Sequence, residues 1–232
     1  MDKILISDYD GTFYTNEIQI RKNVESINQF KNQGNIFVIA TARGIDSIRN
    51  EIKKYNINCD YIISDMGGII VNTETNEIIY RRLMNKSQIN YIENVLKKYP
   101  ETMISSFGSG NENMTDRDVI GYKIKSERVE NLIEMKKEID KENTYNLIAR
   151  IMENEKKLFI INSLNTKLKA IDNLLSRLKI DKKNVYTIGD SDDDLEMLEK
   201  YNGYRMLEST ENIRKKITNN VKEFQTLINY IK

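Results

Sequence analysis

Lys3-Ile4-Leu5-Ile6-Ser7-Asp8-Tyr9-Asp10-Gly11-Thr12 is the stretch on which the fold of this chain turns. An apolar run of β type, Lys3 to Asp8, leads into a second aspartate and a Gly-Thr turn. The last residues of a parallel strand face the crevice beyond the carboxyl edge of the sheet, where open α/β proteins bind ligands. Both carboxylates can reach that crevice, which suits a metal and a nucleophile. Asp and Gly are also ordinary strand-ending turn residues, so the weight of the motif depends on partners further along the chain.

Outward from this strand, the spacing predicts two more, Ile36 to Thr41 and Asp60 to Ser64. Between them lie helical faces carrying Val24, Ile27 and Phe30, then Ile45, Ile48, Ile52 and Tyr55. Strand-helix alternation of this kind reads as an α/β fold, a Rossmann-like three-layer core with a parallel sheet. The same grammar returns late, with a helix on Leu168, Ile171, Leu174, Leu175 and Leu178, then strands at Asn184 to Ile188 and near Tyr204 to Leu207. The middle differs. From about Lys86 the order is helix, strand (Thr102 to Phe107), strand (Val119 to Ile124), helix, strand (Tyr145 to Met152) and strand (Lys157 to Ile161). This αββαββ order predicts an inserted α+β domain over residues 83–163, with the core formed by residues 1–82 and 164–232.

Composition narrows the chemistry. The 232 residues contain 36 Lys plus Arg against 35 Asp plus Glu, a net charge of +1, so no broad field attracts nucleic acid or an anionic membrane. No apolar run approaches the length of a membrane span, and Asp2 and Asp8 interrupt any N-terminal apolar region, so the expectation is a cytoplasmic chain with no obligate protein partner evident. Histidine is absent, which removes Ser-His-Asp and Cys-His schemes and histidine-ligated zinc. The single cysteine, Cys59, rules out an intramolecular disulfide. Carboxylates, lysine, hydroxyls and a hard metal are left to do the work.

Three further pieces supply candidates. Ile39-Ala40-Thr41-Ala42-Arg43 places a hydroxyl and backbone N–H groups beside the end of the first strand, able to hold a phosphoryl oxygen or, on the blander reading, to cap the helix near Ile45. Thr187-Ile188-Gly189-Asp190-Ser191-Asp192-Asp193-Asp194 ends another strand in four acids within five residues, whose repulsion Mg²⁺ could offset. An acid-rich helix N-terminus stabilised by the helix dipole is the alternative there. Lys167, at the start of its helix, could add a fixed positive charge; an exposed lysine is the competing reading.

In this order and spacing the pieces resemble the haloacid dehalogenase superfamily: Asp8 to Thr12 its first motif, Thr41 its second, Lys167 its third, and Gly189 to Asp194 its fourth. The αββαββ insertion between the second and third resembles the B subclass of type-two caps, found in Cof-type phosphatases. The resemblance implies a Mg²⁺-dependent phosphatase for a small phosphorylated metabolite, such as a sugar phosphate. Asp8 would be the nucleophile, Asp10 the general acid and base, and Lys167 a neutralising cation. Gly11, Thr41, Ala42, Arg43 and Lys167 would hold the phosphate, and Asp8, the Asp10 carbonyl, Asp190 and Asp194 the metal. Ala42, Met66 and Asp193 depart from the family pattern. A phosphomutase of the same fold is the nearest alternative, and a noncatalytic phosphometabolite-binding protein a more distant one. For substrate choice, the polar loop Gly108 to Asn113 is a candidate, as is a plain hairpin tip.

Overall fold

The first apolar run forms β1 (Ile4–Ser7), the centre of a parallel sheet, in a computed structural model that describes residues 3–108, 118–152 and 155–231. β1 pairs in parallel with β2 (Ile36–Ala40) on one side and β10 (Val185–Gly189) on the other. β3 (Tyr61–Ser64) continues beyond β2, and β11 (Asn202–Met206) and the short β12 (Asn220–Val221) continue beyond β10, all in parallel. Two strands absent from the sequence reading, β4 (Ile69–Asn72) and β5 (Ile78–Arg81), complete one edge, with β4 antiparallel to β3. Both are short β-branched runs separated by the turn Thr73-Glu74-Thr75-Asn76, a local hairpin signal that the helix-strand alternation obscured. β12 was also unanticipated.

Alternation along the strands sends side chains to two helical layers. Ile4, Ile6, Val38, Ala40 and Val185 pack with Ile171 and Leu174 of α5 (Lys167–Leu178) and Met197 and Leu198 of α6 (Leu195–Lys200). On the opposite face Phe37 meets Phe13 and Phe224, the latter in a helix over Phe224–Ile231. That layer includes α1 (Glu17–Lys31), whose N-terminus is capped by the Asn16 side chain accepting from the Ile18 and Gln19 N–H groups. The buried stripe of α1 is Ile20, Asn23, Ile27 and Phe30, so Val24 lies at its margin. Each fully buried Ile, Leu or Phe contributes about 1.5–3 kcal/mol relative to exposure, which fixes the strand faces and hence what lies at the strand ends.

The chain divides into two compact units, Met1–Tyr80 with Thr166–Lys232, and Arg81–Asn165. The second has the order α3 (Lys86–Leu96), β6 (Met103–Phe107), β7 (Gly121–Lys125), α4 (Val129–Lys141), β8 (Leu147–Met152) and β9 (Lys157–Asn162). Its sheet is antiparallel in the order β6-β7-β9-β8. Its own core includes Ile92, Val95, Leu132, Met135, Tyr122, Ile124, Leu158 and Ile160. α3 begins with a reciprocal capping box between Asn85 and Gln88. Of the polar loop Gly108 to Asn113, residues 109–113 lie outside the described residues. Among the described residues no helix is long and apolar enough to cross a membrane.

Candidate active site

Asp8 follows β1 directly, and its N–H donates to the Ile188 carbonyl at 3.0 Å, so the residue still belongs to the sheet framework. On that same side of β1, Asp190 follows Gly189, the last residue of β10. A carboxylate oxygen from each of Asp8, Asp190 and Asp194 lies within 4.8 Å of the others. The ammonium of Lys167, in the first turn of α5, donates to Asp8 Oδ1 at 2.5 Å and to Asp194 Oδ1 at 2.6 Å. Asp8, Lys167 and Asp194 are buried, and Asp190 is partly so.

The surrounding bonds fix this cluster. Asp194 Oδ2 accepts from the N–H groups of Asp190 and Ser191, both at 3.1 Å, and from the Ser191 hydroxyl at 3.2 Å. Together with Lys167, these donors engage both oxygens of Asp194, so it braces the turn that presents Asp190. Thr12 donates its hydroxyl proton to Asp190 Oδ1 at 2.6 Å. Gly11 adopts φ +82°, and a Cβ there would lie 2.4 Å from Asp190 Oδ2. Only glycine both takes that conformation readily and allows this approach.

Three carboxylates around one ammonium leave two negative charges in a mostly buried site. Burial, and then the Asp194 and Asp190 charges, push Asp8 well above the usual carboxylate range against the pull of Lys167. Asp190 is raised as well, chiefly by burial. Burial alone would lower the Lys167 pKa, but Asp194 and Asp8 outweigh it and keep the ammonium charged. The excess charge and the all-oxygen donors fit one hard divalent cation, which favours carboxylates and water as ligands.

Asp10 lies apart from this cluster, with its side chain 51% exposed. Arg43 donates to both of its oxygens, Nε to Oδ2 and Nη2 to Oδ1, each at 2.7 Å. Thr41 is buried at the end of β2. Its N–H goes to the Ile63 carbonyl, and its Oγ1 accepts from the Arg43 N–H at 3.1 Å. Two of the backbone donors in the Thr41-Ala42-Arg43 turn are therefore used within the sheet and the loop. The hydroxyl proton of Thr41, whose oxygen is the acceptor in that bond, can point elsewhere. Nor does Thr41 cap α2 (Ile45–Tyr55): Asp65, from the turn after β3, accepts from the Ile45 N–H at 3.1 Å. Ala42 is half-buried between these anchors. Met66 is buried at φ +57°, a left-handed conformation that costs a non-glycine residue about 1–2 kcal/mol.

Several residues were missed in the sequence. In the sequence Thr12 reads only as part of a turn, and Tyr9 as a spacer between two acids. Tyr9 is buried and donates its hydroxyl to Glu51 Oε2 at 2.9 Å. Glu51 in turn lies 3.5 Å from Arg43 Nη1. A tyrosine between two strand-end aspartates is a visible signal, but its partner on α2 is not. Asp192, within the acid cluster after β10, accepts the Thr210 hydroxyl at 2.6 Å.

A family model of haloacid dehalogenase-like hydrolases matches residues 5–151 and 109–225. The chain belongs to the haloacid dehalogenase-like hydrolases. Among its relatives is "Putative phosphatase YxeH" of Bacillus subtilis (strain 168), 24% identical across 86% of this chain and 84% of that protein. A haloacid dehalogenase-like hydrolase from Bacteroides thetaiotaomicron shares the fold with a TM-score of 0.81 at 20% identity, with both chains covered in full. The subclass IIB sugar phosphatase BT4131 gives a TM-score of 0.75 at 18% identity, covering 98% of each chain. As a member of this family, the chain is a hydrolase with a Rossmann-like core carrying an inserted domain.

Proposed function

We propose that this hydrolase is a Mg²⁺-dependent phosphatase of small phosphate monoesters, working through an aspartyl-phosphate on Asp8. The observation that carries the reading is the Asp8 carboxylate, held by Lys167 beside Asp190 and Asp194 at the carboxyl end of the central strand. An Asp8 oxygen would attack phosphorus as the bond to the leaving oxygen breaks, and Asp10 would give that oxygen its proton. Asp10 would then take a proton from water as water attacks the phosphorus of the aspartyl-phosphate, releasing inorganic phosphate and restoring Asp8. Lys167 and the Thr41 hydroxyl would offset charge on the transferring group. Asp8, the Asp10 carbonyl and Asp190 would hold Mg²⁺, with Asp194 behind them. Bound there, Mg²⁺ would supply Lewis-acid stabilisation of the phosphoryl oxygens.

The αββαββ order of the Arg81–Asn165 unit supports its reading as a cap that selects the leaving group. A sugar phosphate is the favoured substrate class, by analogy with the sugar phosphatase that shares the fold. The test is phosphate release from a panel of phosphate esters with Mg²⁺, beside Asp8→Asn and a chelator control. Release should depend on Asp8 and on the metal. Activity that persists undiminished in Asp8→Asn would refute the nucleophile, and activity surviving complete metal removal would refute the metal.

A further inference from the structure

We infer that Arg43 acts on the reaction through Asp10, as a positioning residue, and is not a ligand of the transferred phosphoryl group. The inference rests on the phosphatase reading for the role of Asp10, but its geometry stands by itself. Two N–H groups of the guanidinium, Nε and Nη2, are spent on the two oxygens of Asp10. The third nitrogen, Nη1, faces Glu51 Oε1 at 3.5 Å. One face of the guanidinium lies over the Tyr9 ring, 5.1 Å from Cζ to the centroid. The hydrogen-bonding edge turned to Asp10 therefore cannot hold a phosphoryl oxygen unless Asp10 is first released.

The contacts close a ring. Tyr9 is covalently joined to Asp10, its hydroxyl holds Glu51, Glu51 faces Arg43, and Arg43 holds Asp10. Burial and the Glu51 hydrogen bond keep the Tyr9 phenol protonated, so it remains the donor in this ring. The Arg43 backbone is pinned as well: its N–H donates to Thr41 Oγ1, and its carbonyl accepts from the Asp65 N–H at 2.8 Å. A bidentate guanidinium-carboxylate pair fixes direction as well as distance. Without it, the half-exposed Asp10 side chain would spread over its rotamers, and proton transfer requires the carboxylate within hydrogen-bond reach of the leaving oxygen.

The test uses the full chain with Mg²⁺ and an alkyl phosphate ester that the wild type hydrolyses, comparing Arg43→Gln, Asp10→Asn and the double variant. Arg43→Gln is expected to lower kcat about tenfold or more with KM within about twofold, the signature of lost proton transfer. In the Asp10→Asn background the same substitution should change kcat by less than about twofold, because the residue it acts through is gone. Glu51→Gln should lower kcat in the same direction by a smaller factor. A tenfold or larger rise in KM at unchanged kcat, or an undiminished Arg43 effect in Asp10→Asn, overturns the inference. Binding of inorganic phosphate, followed by calorimetry, should be equal in wild type and Arg43→Gln; weakening by about tenfold or more would make Arg43 a phosphate ligand. If the wild type hydrolyses no ester, the phosphatase reading fails, and the pairing is decided by ¹⁵N NMR. The guanidinium signal lost in Arg43→Gln should broaden in Asp10→Asn and survive saturation with phosphate. A signal unchanged in Asp10→Asn, or lost on adding phosphate, overturns the pairing.

Discussion

The ammonium of Lys167 lies 2.5 Å from Oδ1 of Asp8, although 159 positions of chain separate the two residues. Asp194 takes a second hydrogen bond from the same ammonium, and all three side chains are buried. Lys167→Met would leave adjacent carboxylates without their cation. Breaking a buried pair in this way costs about 3–5 kcal/mol. Urea unfolding in a chelator should show a loss of that order, and adding Asp8→Asn to Lys167→Met should recover part of it. A loss below about 1 kcal/mol would mean that the cluster does not depend on the ammonium.

Metal should stabilise the folded chain independently of turnover. A cation bound only by the folded state adds about 2.7 kcal/mol at a hundredfold excess over its dissociation constant. Thermal unfolding should therefore shift upward with Mg²⁺ in wild type, and the shift should shrink in Asp190→Asn. A wild-type midpoint indifferent to Mg²⁺ would remove Asp8 and Asp190 as ligands.

What the sequence disclosed and what it concealed divide along physical lines. Strand ends were legible because β1, β2 and β10 are short apolar runs followed by Asp8, Thr41 and Asp190, local signals that need no partner. The αββαββ order was legible from helical and strand periods alone. The β4 and β5 edge was not, since its hairpin interrupts the helix-strand alternation that revealed the other strands. The Asp10–Arg43 and Tyr9–Glu51 pairs also stayed hidden, because they depend on the conformation of two loops and on the rotation of α2. The use of the Thr41 and Arg43 N–H groups stayed hidden for the same reason: whether a backbone donor is engaged is decided by the neighbouring strand and the fold of its own loop.

Asp65 sets a pH signature away from the acid cluster. Burial is the main cause that pushes its carboxyl up to about 6, against the lowering effect of hydrogen bonds from Ser64 and Ile45. The ordinary value of the unfolded chain is about 3.9. Because the folded value is the higher one, the folded state binds the proton more tightly. This contribution to stability is full below about pH 4 and is lost as the pH rises through about 6. Asp65→Asn keeps an oxygen to accept from Ile45 and carries no charge to bury. Relative to wild type, it should gain about 3 kcal/mol between about pH 4 and about pH 7. Parallel stability curves for the two proteins across that interval would contradict the assignment.

Lys179 ends α5 in the left-handed conformation, φ +55°, on the exposed surface. Glycine adopts this geometry without the Cβ penalty that an L-residue carries there. Lys179→Gly should therefore raise stability by about 0.5–1 kcal/mol in denaturant melts, with phosphate release unaltered. A loss of stability would show that the lysine side chain contributes more than its backbone strain costs.

The order in which the polypeptide leaves the ribosome gives the division into two units a further meaning. Arg81–Asn165 is a continuous segment whose strands β6, β7, β9 and β8 form a sheet of their own, so that sheet can close as soon as Asn162 is free. β1 is made first, yet its partner β10 begins only at Val185. Until then the central strand of the larger unit keeps one edge unpaired, the kind of edge on which growing chains aggregate. The whole of Arg81–Asn165 is therefore synthesised before Lys167 and Asp190 arrive to enclose Asp8. Truncation before Val185, which removes the β10 partner of β1, should therefore lower the soluble fraction on expression more than truncation after Met206, which leaves β10 and β11 in place.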